Sequence, residues 1–152
     1  MRIALLVLLL LVCLLVYIRL SPMAADRWHV DPARAERPGS PNAYLLRDDD
    51  GDAPAARFSA PPDRVALALE QMLATAPRVT RLAGSAAEGH VTYIQRSRLF
   101  GYPDAISIRL IPDNGGTQML VFSRSRFGYG DGGVNAARVS RWIDRLQAVL
   151  TP

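Results

Sequence analysis

The spacing of apolar positions changes several times along the chain, and each change marks an element. From Ile3 to Ile18 the run is apolar apart from Tyr17, with Arg2 before it and Arg19 after it. At about 1.5 Å per residue such a helix covers roughly 24 Å, a little short of a ~30 Å hydrocarbon core. Arg2 and Arg19 can snorkel to the two interfaces, and Tyr17 suits an interfacial level. Residues 1–20 are therefore read as a signal anchor or transmembrane helix that contacts the membrane through residues 3–18. The run also has the character of a secretion signal, but Met23 stands at the −3 position before Ala25, where cleavage needs a small residue, so an uncleaved anchor is expected.

From Ser21 to Ala55 no period survives. Pro22, Pro32, Pro38, Pro41 and Pro54, with the acidic cluster Asp48-Asp49-Asp50-Gly51-Asp52, resist regular structure. Residues 21–55 read as a tether wrapping the domain. Residues 56–152 then carry clear patterns. Pro61-Pro62-Asp63 signals a helix start, and Val65, Leu69, Met72, Leu73 and Ala76 form one apolar face before Pro77. Strand-like runs follow at 78–83, 90–98 and around Ile106, Ile108 and Leu110, where alternation implies one buried face. Asn114-Gly115 supplies the positive φ angles of a tight hairpin, and the chain returns as a strand over 118–126. Met119-Leu120-Val121-Phe122 is apolar on both faces, as in a doubly covered strand. Val139, Trp142, Ile143, Leu146, Val149 and Leu150 recur at helical spacing, with Asn135 as the natural N-cap and Arg138, Arg141, Asp144 and Arg145 off the apolar face. The expected fold is α+β: an antiparallel sheet of about four to five strands, one helix before it and a long C-terminal helix packed on one face.

Charge narrows the function classes. All 18 basic side chains are Arg, against 14 acids. Setting aside Arg2 and Arg19, which flank the apolar run, leaves a net charge near +2. That is an ordinary surface, and no nucleic-acid partner is expected. The single Cys cannot pair within the chain. Asp48, Asp50 and Asp52 alternate like calcium ligands, but Gly51 is misplaced and Ser59 stands where a bidentate Glu is required, so a solvated acidic loop is expected. His29 and His90 have no companion at ligand spacing and read as surface histidines. Asp104, beside Pro103, reads as turn chemistry. No cofactor and no metal are implied, and oligomeric state is not encoded in any visible pattern.

One stretch concentrates candidate chemistry: Ser123-Arg124-Ser125-Arg126-Phe127-Gly128-Tyr129-Gly130-Asp131-Gly132-Gly133-Val134-Asn135. Loop N–H groups and a helix start near Asn135 present positive partial charge, and Arg124 and Arg126, two apart on a strand, share a face. Arg96 and Arg98 repeat that spacing. Together Arg96, Arg98, Arg124, Arg126, Asp131 and Asn135 form a candidate site for an acidic ligand or protein partner. No P-loop or dinucleotide register exists there. The alternative is a structural corner, its glycines permitting the turn and Asp131 pairing with Arg124 or Arg126.

These residues also carry a resemblance. Tyr93-Ile94-Gln95-Arg96-Ser97-Arg98, the stretch from Phe100 to Asp104, and Ser123 to Tyr129 with Asp131, Gly133-Val134-Asn135 and Arg138-Val139 resemble the bacterial family catalogued as domain of unknown function 1499. Pro38-Gly39-Ser40-Pro41-Asn42 is similar to that family's Pro-Asn motif, although many relatives carry Cys where this chain has Ala43. The resemblance spans Pro38 to Leu150 and implies a compact domain, often behind a signal or membrane segment, with no established activity and no catalytic residues to carry over.

The expected function is a membrane-anchored, non-catalytic binding or scaffolding module of the cell envelope. The alternative is an enzyme acting on an anionic substrate, with Arg124 and Arg126 as clamps and Asp131 as base, though no nucleophile–base pair accompanies them. Arg2 and the terminal amine favour an internal N-terminus, whereas Arg19, Arg27, Arg34 and Arg37 argue the opposite. A short N-tail before such a run directs the downstream chain outwards, so a periplasmic domain on a single-pass cell-membrane anchor is expected.

Overall fold

The computed structural model describes residues 1–151. The chain runs α1 (Arg2–Leu20), α2 (Ala25–Trp28), β1 (Ala43–Leu46), β2 (Ala56–Phe58), α3 (Pro62–Ala74), β3 (Val79–Ser85), β4 (His90–Arg96), β5 (Pro103–Asp113), β6 (Gly116–Ser125) and α4 (Val134–Leu150). The strands form one antiparallel sheet in the order β1-β6-β5-β4-β3. The free edge of β6 is filled head to tail: β1 pairs with residues 121–124 and β2 with residues 117–119.

Alternation along the strands sends side chains to two separately covered faces. On one face α3 and α4 bury Val65, Leu69, Leu73, Val139 and Leu146 against Val91, Tyr93, Ile106, Ile108, Met119 and Val121. The opposite face is covered by the N-terminal segment: Trp28 packs on Ile94 and Ala105, and Ala35 on Leu45 and Phe122. Met119 to Phe122 are accordingly buried on both sides. The β5–β6 hairpin closes through Asn114 (φ 48°) and Gly115 (φ 84°), the left-handed pair that matches strand twist.

The sheet has six strands, wider than the hydrophobic pattern predicts. Two short strands are unanticipated: β2, at the start of the region with clear patterns, and β1, which lies within the stretch read as tether. The four residues of β1 are too few to display a period, and the strand exists because β6 offers it an edge.

At its C-terminal end α1 is tied to the domain. The Arg96 guanidinium donates to the carbonyls of Ser21 (2.8 Å), Gly101 (3.1 Å) and Ile18 (3.5 Å). A cation at the last carbonyls of a helix meets the negative end of its dipole. Ile18 and Ser21 are buried at this joint, while the rest of α1 is exposed and is long and apolar enough to cross a membrane.

Candidate functional site

The corner between β6 and α4 divides the candidate residues between the two faces of the sheet. Ser123 and Ser125 turn towards α4, and Arg124 and Arg126 turn away from it. On the α4 side Asn135 is fully buried. Its Oδ1 accepts from Ser123 Oγ (2.6 Å) and Arg138 Nη1 (2.7 Å), and its Nδ2 donates to Asp131 Oδ2 (2.6 Å) and the Asn42 carbonyl (3.1 Å). Asn42 in turn donates to the Gly128 carbonyl at 2.7 Å. Arg138, 5% exposed, completes the network by donating to Asp104 Oδ2 and to Gln95 Oε1. No buried side-chain N or O among the described residues lacks a partner. Fully satisfied, such a network fixes one packing of helix on sheet; losing either partner of the buried Arg138–Asp104 pair would cost about 3–5 kcal/mol.

Several expectations are corrected here. Arg138, placed off the apolar face of α4 by helical spacing, in fact faces the sheet, where Asp104, Ser123 and Asn135 compensate its charge. Asp104 belongs to β5 and is buried, not part of a turn. Asn135 lies inside α4, and the capping side chain is Asp131, whose carboxylate accepts from the N–H groups of Gly133 (2.9 Å) and Asn135 (2.8 Å). Burial alone would raise the Asp131 pKa, but these backbone bonds and the Asn135 side chain outweigh it and hold it below the ordinary carboxylate value. His29 and His90 are partly buried and stack with ring centroids 3.9 Å apart. Burial, then the neighbouring His90, lowers the His29 pKa, with Asp31 opposing. No group of three or more metal-ligating side chains occurs among the described residues.

On the opposite face the arginines have separate tasks. Arg124 lies over the Trp28 ring at 4.5 Å and donates to the Arg27 carbonyl at 2.9 Å. Burial, then the charge of Arg27, lowers its pKa. Arg96 holds the end of α1. Arg126 lies over the Phe127 ring at 5.3 Å, and among the described residues its guanidinium has as its one hydrogen-bond acceptor the Met23 sulfur at 3.7 Å. Arg98 is exposed in the β4–β5 turn. Asp131 pairs with neither Arg124 nor Arg126, so clamp and base do not converge.

A feature without a sequence signal is the cavity that the corner makes with α1. It has a volume of about 500 Å³. Leu14, Tyr17 and Ile18 of α1 form one wall, Tyr102, Phe127 and Val134 the other, and Asp104, Ser125, Asp131 and Ser97 add polar groups. Tyr17 meets Phe127 edge-on at 6.1 Å, Phe127 meets Tyr102 at 6.1 Å, and Tyr102 meets Phe100 at 6.0 Å. Aromatic rings thus continue from the last turn of α1 across the end of the sheet. The wall joins segments about eighty residues or more apart in sequence, which is why no local motif announces it.

The family model described as "Protein of unknown function (DUF1499)" matches residues 30–146. Among solved structures, protein CV1439 from Chromobacterium violaceum is similar at 18% identity, over 74% of this chain and 99% of that one, with a TM-score of 0.45. Ara h 8.0201 is similar at 7% identity over 71% of this chain and 96% of that one, with a TM-score of 0.44. No curated protein matches.

Proposed function

We propose, from the premise that the chain belongs to this family of proteins of unknown function, that it is a membrane-anchored, non-catalytic binding module. Its site is the cavity between α1 and the β6–α4 corner. One observation carries this reading: the cavity walls come from the apolar helix and the domain together. A ligand there would touch both. Apolar walls with a few polar groups suit a mostly apolar molecule with a polar end.

The non-catalytic reading is supported by the side chains at the corner. Both oxygens of Asp131 accept hydrogen bonds from the start of α4, and Asp104 is neutralised by Arg138. Among the described residues neither carboxylate is hydrogen-bonded to a hydroxyl or thiol that it could activate.

Val134 tests the site, since it lines the cavity at the first position of α4 and is half exposed. Val134→Trp fills the space from the rim without disturbing the buried network. In native mass spectra of the full chain released from membrane nanodiscs, the wild type should carry a bound amphiphile that Val134→Trp loses. An empty wild type, or equal occupancy in a Val134→Trp protein of unchanged melting temperature, would sink the proposal.

A further inference from the structure

Three arginines lie at the end of the sheet that bears the cavity, and among the described residues none is paired with a carboxylate; the two carboxylates that line the cavity are engaged elsewhere, Asp104 by Arg138 and Asp131 by the start of α4. Arg96 on β4 and Arg126 just after β6 flank the first residue of β5: Arg96 pairs with Pro103, and the Arg126 N–H donates to the Pro103 carbonyl at 3.2 Å. With strands about 4.8 Å apart, the two residues lie roughly 10 Å apart at the same end of the sheet. Both side chains turn to the face covered by the N-terminal segment. Arg19, in the last turn of α1, lies against the same end, because its Cγ is 3.0 Å from where a Cβ on Gly101 would be. Burial, followed by the charges of Arg126 and Arg19, lowers the Arg96 pKa. Among the described residues none of the three forms a salt bridge.

The same end of the molecule is apolar at its rim. Leu99 is 75% exposed and Tyr129 77% exposed, with Phe100, Tyr102 and Val134 also uncovered. Tyr17 and Ile18, which wall the cavity, directly precede Arg19, and Phe127 directly follows Arg126. An end face that carries exposed aromatics, uncompensated arginines and a direct continuation of a membrane-spanning helix matches the headgroup level of a bilayer.

We propose that Arg19, Arg96 and Arg126 bind the phosphate of an anionic phospholipid of the bilayer, whose acyl chain enters the cavity. Arg126 is the principal contact, because Arg96 already serves the carbonyls at the end of α1 and the nearest acceptor of the Arg126 guanidinium is a thioether. The lipid supplies the charge that the three arginines lack within the fold. The inference rests on the cavity reading and adds the chemical class of its occupant.

The test is native mass spectrometry of the full chain in detergent, titrated with phosphatidylglycerol or phosphatidylcholine of identical acyl chains. Phosphatidylglycerol should bind more tightly to the wild type. Arg126→Gln should weaken it about fivefold and weaken phosphatidylcholine, whose choline offsets the phosphate charge, clearly less. Arg126→Lys should keep most of the preference, and Arg64→Gln, at the exposed start of α3 near the opposite end of the sheet, should keep all of it. Equal affinity of the wild type for both lipids, with Val134→Trp abolishing both, would overturn this inference while the cavity reading stood. Equal losses in Arg126→Gln and Arg64→Gln would also overturn it. Failure of both lipids to bind would remove both readings.

Discussion

The carboxylate of Asp131 takes up two N–H groups at the start of α4, where a helix has no carbonyls to offer them. A capping side chain of this kind is worth about 1 kcal/mol. Asp131→Ala should lower the stability of the full chain in detergent by about that amount at pH 7, measured by denaturant unfolding. The sign with pH comes from the lowered pKa. The folded state binds the proton more weakly than the unfolded chain, so the contribution is complete above the ordinary value of 3.8 and disappears as pH falls through the lower folded value. The difference between wild type and Asp131→Ala should therefore shrink in that acid range. Equal stability of the two proteins at pH 7 would show that the carboxylate caps nothing.

Elements are legible in the sequence to the extent that they repeat. Helix α3 and helix α4, the Asn114-Gly115 hairpin and the doubly buried run in β6 each show a period or a turn signature long enough to read. Strand β1 does not, because four residues between turn-forming neighbours owe their structure to the edge of β6. The candidate site shows the same limit. The two-residue spacing of Arg124 and Arg126 correctly places them on one face, but spacing cannot say that Asp131 belongs to the other. Arg138 reads as off the apolar face because a helical wheel sorts residues by type, whereas here one arginine is drawn inward by Asp104 from β5 and Ser123 from β6. The residues that carry the family resemblance, Asn42, Asp104, Ser123, Asp131, Asn135 and Arg138, meet in that network. The distinctive motif thus encodes first of all how α4 is seated on the sheet.

At the scale of the whole molecule, Arg96 fastens an apolar helix to the end of the sheet where the cavity opens, so helix and cavity form one unit. An exported domain requires that an alkaline phosphatase fused after Pro152 be active in a bacterial host. An inactive fusion, with a cytoplasmic reporter active at the same position, would reverse the orientation and leave the cavity untouched. The central claim is that a membrane lipid occupies the space between α1 and the domain. It is tested most directly by placing the full chain in bilayers containing a phospholipid with a diazirine near the end of one acyl chain. After irradiation, peptide mass spectrometry should find adducts on Tyr102, Phe127 or Val134 as well as on α1. Adducts confined to α1, as any spanning helix would give, would contradict the account.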